Sequence, residues 1–495
     1  MVLHQPIYKL YRQFKVTHPH VKLGLTKFHS LKPNHIRTPR QAVYRGCLCE
    51  VCENIRLKVC SLDKRFECDG HRQLKLVDAE TVLNLTLCPK PEGKNFHRLE
   101  CIKRECGDCG MGKLARHFQE ITSQEKARPI SWRKWDYVEE VVKKTQKTTK
   151  KRQLVVKTGT VQTLINELRG EVAVHPLHVF NWHWQGKQFS SLKKNLPDKW
   201  VVSVWDFAEN YACYYQEEIQ SAYWGRNQVT IHPVVNYYGC ETDGCGQQVT
   251  ESVVFISDDT THDYNAVHSY MGLISIHLTQ KRELDVTRMV RFSDNAACQY
   301  KSKGPISDIA HAVEDYSFRI HHNYFGSRHG KGASDGESAV VKSAATRAVN
   351  SGSAVIASAR DLYKFCVENL EKDLSGDGEC LHYRRSFYYI DSVKRNRGRD
   401  VKPISGTRTL HSILSSDCTN AIWTKCLSCF CQACVVGSGE CANKEYVDDW
   451  TLQELISTAK KETPRGEFSV PYLVIYFSFR WHSSDSTSRF GTWMS

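Results

Sequence analysis

Two apolar runs in this chain give way abruptly to an acid. Trp200–Trp205, with valines at 201, 202 and 204, ends in Asp206, and the run VTRMVRFS, 286–293, ends in Asp294. A third stretch, HHNYFGSRHGKGASDGESAVV, carries a strand-like run and a Gly-rich turn, after which Asp335 and Glu337 open a helical pattern. A carboxylate at the mouth of a buried strand is costly unless it is paired, hydrogen-bonded or holding a metal. One such acid more often caps a loop; three of the same design read as one metal site. Hard divalent cations prefer carboxylate oxygen, so the ions expected are Mg2+ or Mn2+. Two of them roughly 3.5–4 Å apart suit phosphodiester hydrolysis, since together they activate a water and relieve charge on the leaving oxygen. Asp206 would bridge the ions, with Asp294 and either Asp335 or Glu337 completing their shells. Residues two apart on a helix point about 200° apart, so only one of the last two can face the strand edge. His329 and Lys331 either touch the scissile phosphate or serve the turn, and Glu209 and Asn210 are candidates to support the acids from behind. Asp258, Asp259 and Asp263 read as a helix N-terminal cap, where acids are favoured.

The 21 cysteines form a second chemistry. The N-terminus, MVLHQPIYKLYRQFK, lacks the apolar core of an export signal, so clustered cysteines read as zinc ligands sooner than as disulfides. Cys47, Cys49 and Cys52 follow a C-x-C-x2-C spacing, with Cys60 beyond. Cys88, Cys101, Cys106 and Cys109 offer C-x12-C-x4-C-x2-C, with His71 and His97 nearby. Cys426, Cys429, Cys431, Cys434 and Cys441 place five thiols within sixteen positions. Neighbouring thiolates at such spacings can share one Zn2+; ordinary buried thiols are the bland alternative.

A chain of 495 residues, 41% hydrophobic and 25% charged, is a folded protein of several domains. No apolar run approaches the ~20 residues of a membrane span. The net charge of +14 favours polyanions. The run KKTQKTTKKR, 143–152, is its densest stretch, with Lys143, Lys144, Lys147, Lys150 and Lys151. It reads equally as a solvated linker or as a clamp on DNA phosphates.

These groups need elements to position them. Residues 118–170 have apolar positions at helical spacing, and 160–196 read as helix, turn, helix. From 200 the pattern changes to strands at 200–205, 228–238 and 249–259, a helix at 262–282, a strand at 286–293, a short helix at 306–316, a strand at 318–325 and a helix at 336–349. Three strands, helix, strand, helix, strand, helix is the order of a ribonuclease-H-like α/β fold, in which acids from the first strand, the fourth strand and the last helix meet at one sheet edge. The expected organisation is a basic, zinc-binding region at 1–117, a helical basic region at 118–199, the mixed-sheet catalytic domain at 200–372, a cysteine-bearing region at 373–450 and a partly disordered tail at 451–495. The apolar tail segment 468–481 reads either as a strand of a small barrel or as an aggregation-prone stretch.

The phrases WDFAEN, IHPVV, FSDNAACQYK and NYFGSRHGKGASDG resemble the catalytic core of a eukaryotic cut-and-paste DNA transposase or of a cellular protein derived from one. The likeness extends from CLCEVCENIRL to LSCFCQAC, roughly residues 1–450. It implies an Asp-Asp-Asp/Glu enzyme that cuts double-stranded DNA at element ends and lets the same site activate the freed 3′-hydroxyl for strand transfer. Asp206 and Asp294 take the first two positions; Asp335 fits the H-G-K-G-x-x-D phrase and Glu337 the usual glutamate. A nuclear protein and a homodimer would follow. The alternative is a zinc-stabilised DNA- or chromatin-binding protein that kept the fold and lost cutting.

Overall fold

The computed structural model describes residues 7–32, 48–141, 148–326, 332–373, 380–395 and 397–458. Its strands are β1 (Pro129–Val141), β2 (Thr148–Thr160), β3 (Trp200–Trp205), β4 (Tyr211–Ala212), β5 (Gln228–Gly239), β6 (Gln248–Ser257), β7 (Arg288–Ser293), β8 (Arg319–Tyr324), β9 (Tyr383–Ile390), β10 (Ser412–Ser415), β11 (Ala421–Lys425) and β12 (Thr451–Glu454).

Ten strands form one mixed sheet in the order β12-β11-β10-β8-β7-β3-β5-β6-β9, with β4 paired to β5 off that path. β7 and β8 lie parallel to β3 on one side; on the other, β5 runs antiparallel to β3 and β6 antiparallel to β5, and β9 closes that edge parallel to β6. β3, β5 and β6 are Val- and Ile-rich on both faces because both faces are covered. Val201, Trp205, Val253, Phe255 and Met289 pack under helices Tyr264–Ile276 and Lys303–Ala310. Val229, Ile231, Val254 and Ile256 meet helices Ala333–Asn350 and Ala359–Leu370 on the opposite face. The chain is therefore a mixed α/β protein with helices flanking a multi-stranded sheet. That sheet does not stop at 372: β9 to β12 belong to it, because β9 pairs with β6 and β10 with β8.

The region expected to be helical at 118–199 is helical only in its second half. Pro129–Val141 and Thr148–Thr160 form a 13-residue antiparallel ribbon instead. Trp132, Trp135, Tyr137 and the Val155–Val156 pair favour a pleated surface, and Trp132 is buried beneath the ribbon while alternate positions face water. The expected helix-turn-helix is one 34-residue helix, Val161–Lys194, with Pro176 inside it. Proline removes the amide that would bond the carbonyl four residues back. Here that carbonyl, on Val172, accepts from the Arg104 guanidinium at 2.9 Å, and a second Arg104 nitrogen donates to Thr86 O at 2.7 Å.

The long helix joins two cores. Its first half packs Leu164, Ile165, Leu168 and Val172 against Ile55, Val59, Leu62 and Phe66 of helix Glu50–Cys68. Its second half docks on the sheet, where Leu192 lies over Val202, Val204, Val235 and Phe292. The contact is close at Gly326, where a Cβ would stand 2.5 Å from the Trp182 Cα. Phe180 and Trp184 are buried packing residues. The tail 459–495, including the segment 468–481, lies outside the described residues.

Candidate functional site

β3 and β7 run parallel with Trp205 opposite Ser293, so the next residue of each strand, Asp206 and Asp294, leaves the sheet at the same end. The third element is anchored to them: Ser334 Oγ, at the start of helix Ala333–Asn350, donates to Val204 O of β3 at 3.0 Å. Asp335, one residue on, accepts from the Gly332 amide at 2.9 Å and is exposed.

The electrostatics are those of crowded, half-buried acids. Burial, the Asp294 charge and the Asp335 charge, in that order, push the Asp206 carboxyl up to about 7. Burial also raises Asp294, against a 3.0 Å bond that its carboxylate accepts from the Ala296 amide. Asp206, Asp294 and Asp335 thus bring negative charge together at this strand edge, but they are not among the groups of described residues whose ligand atoms lie within 4.8 Å of one another.

Glu337 faces elsewhere. Its carboxylate is gripped by Arg385 of β9 at 2.8 and 3.2 Å. Behind the acids, Tyr300 Oη lies 3.0 Å from His232 Nε2, and Ser293 Oγ lies 2.9 Å from His322 Nε2. Burial holds His232 at about 3 and, with Arg291 adding to it, His322 well below the usual histidine range, so both rings are neutral. Lys301 Nζ donates to Asn295 Oδ1 at 2.6 Å, and burial lowers its pKa to about 8. Glu209 is exposed and its backbone carbonyl accepts from Lys342; Asn210 accepts from Thr230 Oγ1 at 3.4 Å. Of the second acid cluster, Asp263 caps helix Tyr264–Ile276 by accepting the Ala266 amide, as expected. Asp259 pairs with Arg395, and Asp258 accepts from Tyr389 Oη at 2.5 Å.

Among the described residues, four groups bring three or more ligand atoms within 4.8 Å of one another, and every one is built on cysteine. Cys88, Cys101, Cys106 and Cys109 converge as their spacing suggested. Cys429, Cys431, Cys434 and Cys441 converge likewise, while Cys426 stays outside, exposed and beside Asp448. Cys426 opens the cluster in sequence, but the chain turns at Ser428, pinned to Gln185, and leaves it behind. At the N-terminal cluster, Cys49 and Cys52 are joined by His178 of the long helix, Cys49 Sγ being 3.2 Å from His178 Nε2. His175, one turn earlier, lies 3.7 Å from Cys52 Sγ. Cys47 lies outside the described residues, and Cys60, His71 and His97 are not in these groups; His71 pairs with Glu125 and His97 bonds the Cys88 carbonyl. These groups could hold zinc. The fourth, Cys240, Cys245, Cys380 and His382, unites a C-x4-C pair with a C-x-H pair far along the chain.

His329 and Lys331 lie outside the described residues, as do Lys143, Lys144 and Lys147. Lys150 and Lys151 are exposed on β2, with Lys150 Nζ 3.4 Å from Glu139. The arginines of the loop after β9 are committed elsewhere: Arg395 pairs with Asp259 and Asp263, Arg397 with Asp308 and Arg399 with Asp315.

Gln185 and Ser428 exchange two hydrogen bonds, Gln185 Nε2 to Ser428 Oγ at 2.8 Å and the Ser428 amide to Gln185 Oε1 at 3.0 Å. A family described as a domain of unknown function (DUF8701) matches these same residues, 185–428. No curated protein matches the chain. Among solved structures, the crystal structure of NurA bound to dAMP and manganese aligns at 9% identity and a TM-score of 0.11, over 55% of this chain and 55% of that one; so slight a likeness carries no argument. No helix among the described residues is long and apolar enough to cross a membrane.

Proposed function

We propose that this chain is a metal-dependent phosphodiester enzyme that cleaves DNA and transfers the freed strand, in the manner of a cut-and-paste transposase. The observation that carries the reading is the pairing of Trp205 with Ser293, which sets Asp206 and Asp294 side by side at the ends of parallel strands. The strand order β6-β5-β3-β7-β8, antiparallel on one side of β3 and parallel on the other, supports a ribonuclease-H-like core. In that core Asp206 is the central metal-holding acid, Asp294 the second and Asp335 the third.

Divalent ions, when bound, would supply the activated water and the charge relief that phosphodiester cleavage needs. The chain's own residues do the rest. The Asp206 carboxyl, at about 7, sits where loss of a proton to make room for a cation is easy near neutrality. Neutral His232 and His322 and buried Tyr300 fill the space behind the acids, with Arg291 and Lys301 the cations nearest to them among the described residues. Double-stranded DNA at element ends, a nuclear setting and action as a homodimer belong to the same proposal.

The test is cleavage of DNA carrying the element's flanking ends, with Mg2+ or Mn2+, by the full chain and by Asp206→Asn and Asp294→Asn. Loss of cutting in both variants with DNA binding retained supports the reading; equal cutting in all three overturns it. A second reading is a zinc-stabilised DNA- or chromatin-binding protein without catalysis. Among the described residues, four metal-ready groups built on cysteine and none built on the acids favour it, and DNA binding with no cleavage under either metal would select it.

A further inference from the structure

We propose that Cys240, Cys245, Cys380 and His382 bind one zinc ion that clips the β5–β6 turn to the edge strand β9. The four ligand atoms lie within 4.8 Å of one another, and Cys245 Sγ is 3.1 Å from His382 Nε2. Three thiolates and one imidazole in a tetrahedral set are a closed, structural zinc site, with no position left for a reacting water. On loading, the thiols give up their protons to solvent, so binding releases protons and weakens at low pH.

The position explains the need. Cys240 follows β5 and Cys245 lies in the turn before β6, while Cys380 and His382 enter β9. β9 is the last strand of the sheet on that side; it pairs with β6 along its length, beginning at Thr250 opposite Tyr383, and on its other side is bridged at Arg385 to Lys372. The Thr250 amide already donates to His382 O at 2.8 Å, so the histidine that would ligate the metal also sets the first rung of the ladder. A slip of one residue would turn Arg385 away from Glu337 and Arg384 away from Glu241. A metal across the hairpin and the incoming strand fixes that register at its start.

The clip is independent of the proposed catalysis. β5 runs antiparallel to β3 with Tyr237 opposite Val202, so Cys240 lies by the Trp200 end of β3 and Asp206 by the other. Losing the clip should loosen β9 without removing the acids.

The experiment uses the full chain purified under reducing conditions, with zinc counted by elemental analysis and native mass spectrometry. Cys245→Ser and Cys380→Ser should each lose one zinc equivalent and keep the others, while His382→Cys should keep all. Amide exchange across 383–390 should rise in the serine variants and not in His382→Cys. Should the serine variants fail to fold, the wild-type protein is alkylated before and after chelation. Protection of Cys240, Cys245 and Cys380 until the metal is stripped supports the site. Unchanged zinc in the Cys240→Ser/Cys380→Ser double variant overturns it, as does ready alkylation of these thiols in the zinc-loaded chain or a mass two hydrogens lighter that marks a disulfide.

Discussion

Glu337 and Arg385 form a two-point ion pair, with Arg385 Nε and Nη2 at 2.8 and 3.2 Å from the two carboxylate oxygens. Asp335, two positions earlier on the same helix, instead adds its charge to the field that raises Asp206. The two acids therefore face different partners. Asp335→Ala is expected to abolish cleavage. Glu337→Ala should leave cleavage within a few fold and cost about 1–2 kcal/mol of stability for the half-buried pair. A gel assay with a thermal melt on both variants separates the roles, and loss of cutting in Glu337→Ala alone would reverse the assignment.

Glu251 is fully buried and accepts from Tyr238 Oη at 2.6 Å and Arg282 Nε at 3.0 Å, with His277 Nε2 at 2.8 Å. Burial pushes its carboxyl up, but His277 and Arg282 outweigh that and hold it well below the usual carboxylate range. A carboxyl depressed in the folded state stabilises the fold above its unfolded value, about 4.3, and loses that contribution as pH falls toward the lower folded value, by roughly 1.4 kcal/mol per pH unit. Glu251→Gln should cost about 3–5 kcal/mol at pH 7 and progressively less below about pH 4. Urea midpoints of both proteins at pH 7 and pH 3 check this; a gap that does not narrow refutes it.

Charge on the ribbon offers a third test. Lys150 and Lys151 are exposed on β2 and continue the run that begins at Lys143. Replacing Lys143, Lys144, Lys147, Lys150 and Lys151 with glutamine should weaken DNA binding on every sequence and lower the slope of log affinity against log salt by up to about 0.9 per lost phosphate contact. Affinity unchanged at low salt would make the run a linker.

The sheet core was legible in part because β3, β5 and β6 are rich in valine and isoleucine and β3 and β7 run straight into acids; strands at 228–239, 288–293 and 319–324 fall within a residue or two of their expected bounds. The Cys88–Cys109 group was legible because its ligands are neighbours in sequence. The ribbon was not: Trp135, Val138 and Val141 also satisfy a helical spacing, and the pairing with Leu154 and Lys151 that fixes the strand is non-local. His178 and the Cys240 group stayed hidden for the same reason, since their partners arrive from distant elements. Glu337 could not be set apart from Asp335 without Arg385, which the fold brings from β9.

A 34-residue helix is about 51 Å long, and Val161–Lys194 is the beam on which the ribbon half of the molecule is carried from the sheet. Its weakest point, at Pro176, is splinted by Arg104, which belongs to the loop between Cys101 and Cys106. Whatever fixes that loop thus fixes the stiffness of the beam. Were zinc held by this cysteine group, its removal would act some distance from the acids as a loosened joint, turning a set angle between the two halves into a hinge.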